Sequence, residues 1–596
     1  MINYALKTAV TNLALRVRTP AQYLGGERNS LPREHERACG SLCLAFPDTY
    51  ALGMSHHGLQ VLYSLMHAEG WACERVFTPL PDFERELRKA NLPLYGLETF
   101  TPLSQFDVIG FSLQYEIGYS NILTMLDLGG IPLHAADRGS EDPLIIAGGP
   151  GAQNPELLAP FIDLFVIGDG EPSLPEVCRR WKELARSGLD RERKLAQIAA
   201  HCPWAYIPRF YEPIYDDSGV QRGVLCLQEE APSSIRPCAI ASLEEIPLPT
   251  RPVVPYVETA HDRIAIEIMR GCPWQCRFCQ STVIKRPLRF RQVETIVAAA
   301  LESYRQTGYD EISLLSLSTS DYPDFEALVT RMSEVFSPLG VKISLPSLRI
   351  TETLKKIPAL LQEGRRAGLT LAPEVARDDM REQIRKPINN QDLFDGAAEA
   401  FRRGWRRVKL YFMCGLPGER EADLDGILEM SERIARIGKA ETGRWPEIIA
   451  SVSNFVPKPH TPYQWNGMRE RGYFHWAHQY LKSRSKLRAV EIKCHDVETS
   501  LLEGILTRGD RRVAPALETA WRRGARLDAW REYFQPEIWW RTFDDLGIEV
   551  PFYSHRERAV DEVLPWDHIL VKYGREYLDK EHKRSVVQLE AMASAV

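Results

Sequence analysis

The chain of 596 residues contains no apolar run approaching the roughly 18 residues needed to cross a bilayer. Its longest such stretches, for example LLAPFIDLFVIG from Leu157, stop well short, and the amino terminus MINYALKTAVTN lacks the apolar core of a signal peptide. The expectation is a soluble, cytoplasmic protein. Cysteine is too scarce for a disulfide framework: there are twelve, and nine are scattered singly between Cys39 and Cys494. Neither charge sign dominates, with 74 basic against 80 acidic side chains and a formal charge of -6, so the whole-chain field does not advertise a nucleic-acid binder. There is no RNP1 string, no KH-type GXXG in context, no dense basic tract, no internal repeat and no low-complexity segment. GxGxxG is absent too, and the glycine-rich AGGPGA lacks the Lys-Ser/Thr of a P-loop. What remains is a globular composition, 44% hydrophobic and 26% charged. The length exceeds the roughly 250 to 300 residues one core can serve, so two to four domains are expected.

The three cysteines that are not scattered are Cys272, Cys276 and Cys279, within GCPWQCRFCQ. Random placement would give about 0.005 occurrences of this C-x3-C-x2-C spacing, so it calls for a chemical reason. Structural zinc usually takes four ligands, commonly as two C-x2-C pairs, and here the next cysteine is Cys414. An electron-transfer 4Fe-4S centre also takes four thiolates. Three thiolates suit a cluster that keeps one iron open to a substrate's amine and carboxylate, with zinc or simple packing as the alternatives.

The motif resembles the cluster signature of the radical S-adenosylmethionine (SAM) enzymes, in which an aromatic residue, here Phe278, precedes the last cysteine. The resemblance implies that the open iron chelates the methionyl end of SAM. An electron from the reduced cluster then yields methionine and a 5'-deoxyadenosyl radical, and a low-potential donor such as flavodoxin or ferredoxin supplies that electron.

The context of the motif alternates. β-rich runs occur at Arg263 to Met269, Glu311 to Leu317, Val341 to Leu345, Leu369 to Ala372, Arg407 to Met413 and Glu447 to Phe455. Between them lie amphipathic stretches such as VETIVAAALESYRQTG, TETLKKIPALLQEGRRAG and ADLDGILEMSERIARIG. Six strands alternating with helices predict parallel strands with right-handed crossovers, a (β/α)6 partial TIM barrel over residues 251–465. Sites in such barrels gather at strand carboxyl ends, and the cysteines follow the first strand directly. The next strand ends offer Ser318 and Asp321, then Ser344, Ser347 and Arg349, then Thr370 and Glu374 in a TxAPE pattern, then Gly415 in CGLPGE. The resemblance implies SAM contacts at these positions, and the TxAPE pattern and the Pro-rich FVPKPHTPYQW resemble segments of methylthiotransferase-related subfamilies. Each of these residues also has an ordinary use as a cap or turn former.

Residues 1–195 show a second α/β pattern, whose apolar strands end in glycine or serine before a helix, as in a doubly wound sheet. The set resembles the cobalamin-binding-like domain that precedes the barrel in many radical SAM methyltransferases. Gly110, Ser112, Gly148, Gly149, Gly168 and Gly170 fall on the strand-end positions. The D-x-H-x-x-G motif that gives cobalt a histidine is missing, since MSHHG brings His56 and His57 without its Asp or its spacing. Cobalamin and a fold kept without the cofactor both stay open. Residues 196–250 read as a linker and bridging segment rich in proline at its end, and 466–596 as a mostly helical domain. There Arg511, Arg512, Asp567 and His568 could meet substrate or serve as surface salt bridges and caps.

The leading expectation is a radical SAM enzyme, with cobalamin-dependent methyl transfer to an unactivated carbon as its sharper form. The alternatives are a cobalamin-free enzyme modifying RNA or a ribosomal component, with Arg402, Arg403, Arg406 and Arg407 as a basic groove, and a non-catalytic iron-sulfur protein.

Overall fold

The structure, a computed structural model, describes residues 2–346 and 369–594. Arg349, Ser347 and the stretch TETLKKIPALLQEGRRAG lie outside the described residues. Among the described residues no helix is long and apolar enough to cross a membrane.

The amino-terminal sheet comprises β1 (Ser41–Phe46), β2 (Ala72–Phe77), β3 (Val108–Ser112), β4 (Leu144–Gly148), β5 (Leu164–Val166) and β6 (Ala205–Tyr206), in the order β2-β1-β3-β4-β5-β6. The first five strands are parallel and β6 is antiparallel. Helices cover parallel strands on both faces, which explains why β1 and β2 are buried at every position and read as unbroken runs such as SLCLAF. The order 2-1-3-4-5 reverses direction between β1 and β3, the place where such sheets bind ligands outside their strand ends. β6 and an antiparallel hairpin of β7 (Tyr211–Tyr215) and β8 (Gln221–Cys226) occupy part of the stretch read as a linker.

The central region begins with β9 (Ile264–Glu267). A two-stranded antiparallel pair, β10 (Met269–Arg270) and β11 (Arg289–Phe290), then brackets all three motif cysteines. Parallel strands follow: β12 (Glu311–Leu315), β13 (Lys342–Ser344), β14 (Leu369–Glu374), β15 (Arg407–Cys414), β16 (Glu447–Asn454) and β17 (Val490–Cys494). They form a three-stranded sheet, β13-β12-β9, and a four-stranded sheet, β14-β15-β16-β17. Parallel sheet with intervening helices is thus present throughout, in two described pieces. β17 is a strand inside the region read as helical, pairing with β16 from Ile448 to Val452. Its five residues, VEIKC, alternate buried and exposed on a sheet edge, too short a signal to stand out between two helices.

The carboxyl-terminal helices pack mostly into the cores of the two α/β units, apart from a small cluster of Leu564, Trp566 and Leu578 on Val283 and Trp465. Leu502, Ile505, Leu506, Leu517, Trp521 and Trp539 pack into the core of the amino-terminal sheet, and Phe474, Leu481, Val497 and Leu501 into the core of the central sheets. They therefore clamp the two α/β units together.

Inside the first unit, Asp163 is fully buried and accepts from Arg138 Nη1 at 3.0 Å, Arg191 Nη2 at 2.7 Å and the Ile145 N–H at 3.0 Å. Burial pushes this carboxyl upward, but the charges of Arg138 and Arg191 outweigh it and hold the group below the usual carboxylate range. Removing the acid would strand buried guanidiniums, so Asp163→Ala is expected to cost about 3–5 kcal/mol in urea unfolding. Because the folded pKa is depressed, the contribution of Asp163 is present above the unfolded value near 3.9 and is lost as pH falls through the folded value. The stability gap between wild type and variant should narrow correspondingly in acid.

Candidate active site

The cysteine loop is held from several sides. Gly271 (φ +91°) opens it, and a Cβ there would come within 2.8 Å of the Lys285 carbonyl, so only glycine lets the loop lie against that backbone. Cys272 and Cys276 are buried and Cys279 is half-buried, its N–H donating to the Cys276 carbonyl at 3.1 Å. The Arg277 N–H donates to Ile384 O at 3.1 Å, and its guanidinium to Gln383 O at 2.7 Å and to the Gln588 side chain of the last helix, Gly574–Ser594. Phe278 packs on an apolar cluster that includes Val375, Met380, Ile384 and Leu416. Trp274 Nε1 donates to Asp321 Oδ2 at 2.6 Å, and Ser318 Oγ donates to the same oxygen at 2.5 Å.

Burial, followed by the charge of Cys276 and, more weakly, of Cys272 and Glu374, pushes the Cys279 thiol up to about 12. The three sulfurs therefore sit in one another's field, a place where thiolates need a multivalent cation. Among the described residues no three His, Cys, Asp or Glu side chains are set to hold a metal ion. A cuboidal cluster asks its thiolates to surround a cube of irons and not one point.

The other expected residues fall into three groups. Ser318 and Asp321 stand on the loop after β12, but their mutual bond and the Trp274 indole use the carboxylate to tie that loop to the cysteine loop. Ser344 ends β13 and is half-buried, and Thr370 is an exposed position of β14. Glu374 sits at a register shift of β14 with φ +65°, accepts from Lys386 Nζ at 2.7 Å and lies within the electrostatic reach of Cys279. Such an irregularity commonly re-aims a side chain beside a site. Gly415 (φ +86°) donates its N–H to Glu419 Oε2 at 2.7 Å, and a Cβ there would meet the Phe474 ring at 2.6 Å.

The strand-end residues of the amino-terminal sheet come together. Ser112, Gly148, Gly149, Gly168 and Gly170 line one wall of a cavity of about 470 Å³, together with Gly110, His56 and His57. Across it stand Glu267, Met269, Arg270, Gly271, Lys285 and the Leu315–Leu317 strand end, so the cavity joins the carboxyl ends of both units. Gly149 (φ +108°) and Gly168 (φ +106°) are needed because a Cβ would strike Leu113 O at 2.7 Å and Cys238 O at 2.1 Å.

Sequence reasoning missed the charged wall. Arg270 donates to Glu267, to Asp169 at 3.0 Å and to Glu171 at 2.5 Å, and Arg289 also pairs with Asp169. His56 Nδ1 accepts from the Leu59 N–H at 3.1 Å and caps the helix His57–Ala68. Burial and the adjacent His57 push His56 down to about 4, and burial also lowers His57, whose Nε2 has no hydrogen-bond partner. Both imidazoles are neutral at pH 7.

The carboxyl-terminal candidates are not at the cavity. Arg511 pairs with Glu156 at 3.0 Å, Arg512 with Asp510 at 2.6 Å and Asp567 with Arg575, while His568 is buried against Tyr206. They tie segments of the fold to one another. Arg402 pairs with Glu399 and Glu441, Arg403 with Glu399, and Arg407 with Glu447.

This geometry is that of a two-unit α/β protein with a three-cysteine loop at a parallel strand end. Residues 266–431 match the family model of the radical SAM superfamily, and residues 58–208 match that of the amino-terminal region of radical SAM proteins. The chain belongs to the radical SAM superfamily, and the family implies a 4Fe-4S cluster and SAM.

An uncharacterised protein of Methanocaldococcus jannaschii is 24% identical over 82% of this chain and 97% of its own length. The ribosomal protein uS12 methylthiotransferase RimO of Microcystis aeruginosa is 25% identical over 30% of this chain, and the matched stretch is 43% of that protein. Among solved structures, the radical SAM methyltransferase TsrM from Kitasatospora setae, with cobalamin and a [4Fe-4S] cluster bound, aligns over 71% of this chain and 76% of its own. Its sequence identity is 14% and the TM-score 0.46.

Glu419 is the site residue with no signal in the sequence beyond the glycines around it. Burial pushes its carboxyl up to about 7, against the lowering bonds from the Tyr473 hydroxyl and the Gly415 N–H. An acid with a raised folded pKa stabilises the fold below its unfolded value and loses that contribution as pH rises through the folded value. Glu419→Gln should therefore melt like wild type at pH 4. It should become progressively more stable than wild type between about pH 4.5 and 7 and keep that advantage above it, as scanning calorimetry over pH would show.

Proposed function

We propose that this chain is a radical SAM enzyme that reductively cleaves SAM at a cluster held by Cys272, Cys276 and Cys279, and that the reaction is directed into the cavity between its two α/β units. The observation that carries this reading is the cysteine loop, set between β10 and β11 at the end of β9, beside a cavity lined by Gly271. Bound there, the cluster would supply the single electron that splits the sulfonium of SAM into methionine and a 5'-deoxyadenosyl radical.

The protein's own share is positional. Asp321, through Trp274, fixes the cysteine loop against the loop after β12, and Arg277 fixes its other side to Gln383. Glu374 and Ser344 are the groups at neighbouring strand ends that would meet the amino-acid and ribose portions of SAM. Glu419 holds the Gly415 turn in shape by accepting from its N–H. The apolar wall of Leu44, Ile146, Val166 and Leu315 keeps water from a carbon radical.

The sharper form places a corrinoid on the amino-terminal wall, where Ser112, Gly148, Gly149 and Gly168 give a surface with few side chains. The cavity lies at the direction reversal of a doubly wound sheet, where such folds bind ligands outside their strand ends. A corrinoid there would supply a methyl carrier. The His57 Nε2 on the same wall would serve its polar edge.

The test is anaerobic reconstitution with iron and sulfide. Wild type should take up about four irons per chain and, with SAM and dithionite, release 5'-deoxyadenosine. Cys272→Ala, Cys276→Ala and Cys279→Ala should each abolish that product. A reconstituted wild type that leaves SAM intact would overturn the reading, and one that makes 5'-deoxyadenosine but never retains hydroxocobalamin would remove the corrinoid alone.

A further inference from the structure

Lys285 stands out among the groups that line the cavity. It follows the short helix Ser281–Ile284 that leaves the cysteine loop, and it borders both the main cavity and a narrow neighbour of about 30 Å³ running toward Gln153 and Cys238. Among the described residues its Nζ makes no hydrogen bond and no ion pair, and the side chain is half-buried on the cavity wall. The ammonium is therefore left to the contents of the cavity for its counter-charge.

The charges around it explain why the ammonium is in surplus. Arg270, Asp169, Glu267 and Glu171 act on Lys285, and His56 faces it as a neutral ring. The three carboxylates already have partners: Arg270 meets all of them, Arg289 shares Asp169, and Arg291 adds to the field at Glu267. Three guanidiniums thus face three carboxylates, and Lys285 is the cation left over. Lys285 lies six residues beyond Cys279 in the sequence and lines the cavity, which the three motif cysteines do not.

We infer that Lys285 is an anion-binding residue that takes a phosphate or carboxylate group of the molecule seated between the amino-terminal sheet and the cysteine loop. The inference rests on reading that cavity as the reaction chamber. Two sources offer this chemistry: the phosphodiester of a corrinoid's nucleotide tail and an anionic group on the molecule being modified. Either would supply the counter-charge that the protein itself withholds, through a charge-assisted hydrogen bond formed only on binding.

The test uses full-length, anaerobically reconstituted protein as wild type, Lys285→Met, Lys285→Gln and Lys285→Arg. Hydroxocobalamin, cobinamide (which lacks the nucleotide and its phosphodiester) and inorganic phosphate are each titrated. The ligand-free Met variant should melt no lower than wild type, because Lys285 makes no hydrogen bond or ion pair for the substitution to remove. Its affinity for the anion-bearing probe should fall about tenfold to a hundredfold, with Arg retaining most of it. If the corrinoid phosphodiester is the anion, the loss appears with hydroxocobalamin and not with cobinamide. If the anion belongs to another substrate, the corrinoids are unaffected and the loss appears with inorganic phosphate. The Gln variant gives the same comparison should Met fail to fold.

Equal binding of all three probes to wild type and to the neutral variants would overturn the inference, as would no binding of any probe to wild type. A lowered melting temperature with unchanged affinities would assign Lys285 to the fold instead. The wild type's release of 5'-deoxyadenosine is read separately, so failure of the radical reading and failure of the anion site are distinct results.

Discussion

Arg270 is the constraint on which the site depends. It lies in β10, immediately before Gly271 and the first motif cysteine, and its guanidinium binds Asp169 and Glu171 from the end of the amino-terminal sheet as well as Glu267 from β9. One side chain thereby sets the distance between the two sheets' carboxyl ends and the direction in which the cysteine loop departs. Truncating a group like this leaves several carboxylates buried without a counter-charge, which is far more costly than the net worth of any one pair. The cysteine loop is therefore anchored to the other unit and does not hang from a flexible linker. The Arg289 contact to Asp169 repeats the connection on the far side of the loop, so both strands flanking the cysteines are fastened to the same carboxylate.

Much of this was legible in the sequence because the chemistry is local. Cys272, Cys276 and Cys279 lie within eight residues, and a β-strand of four residues precedes them, so their spacing and their place at a strand end can both be read from the string. The strand-end glycines are legible for a related reason. Gly149 and Gly168 adopt positive φ, and the chain has to spell that conformation with glycine. The immediate cause is contact with the backbone of Leu113 and Cys238, however, so a glycine at a strand end is evidence of close packing first and of a ligand second.

What stayed hidden depends on long-range pairing. Nothing near Arg270 in the sequence indicates that its partners lie about a hundred residues earlier, at Asp169 and Glu171. His57 is an ordinary polar residue until the fold buries its Nε2 without a partner, and Lys285 until the fold sets it on the cavity wall with none. Asp321 shows the opposite case: its type and strand-end position suit a ligand contact, yet the Trp274 indole and Ser318 hydroxyl converge on one of its oxygens and make it a brace for the loop. Burial and pairing separate these roles, and neither is a property of a single position in the string.

The carboxyl-terminal region completes the physical account of the site. Had it been an independent helical domain, the cysteine loop would have one face toward the cavity and another toward solvent. Instead the last helix lies behind the loop, where Glu581 pairs with Arg277 and Arg385, Gln588 accepts from Arg277 and Ser585 accepts from Gln383. Met592 of the same helix packs on the apolar cluster that holds Phe278. Reactive intermediates need a dry wall on every side but the one facing substrate. Here the central strands and the amino-terminal sheet line the 470 Å³ cavity, and this helix lies on the other side of the cysteine loop. The helix thus backs the loop through its contacts, although its own sequence carries no motif.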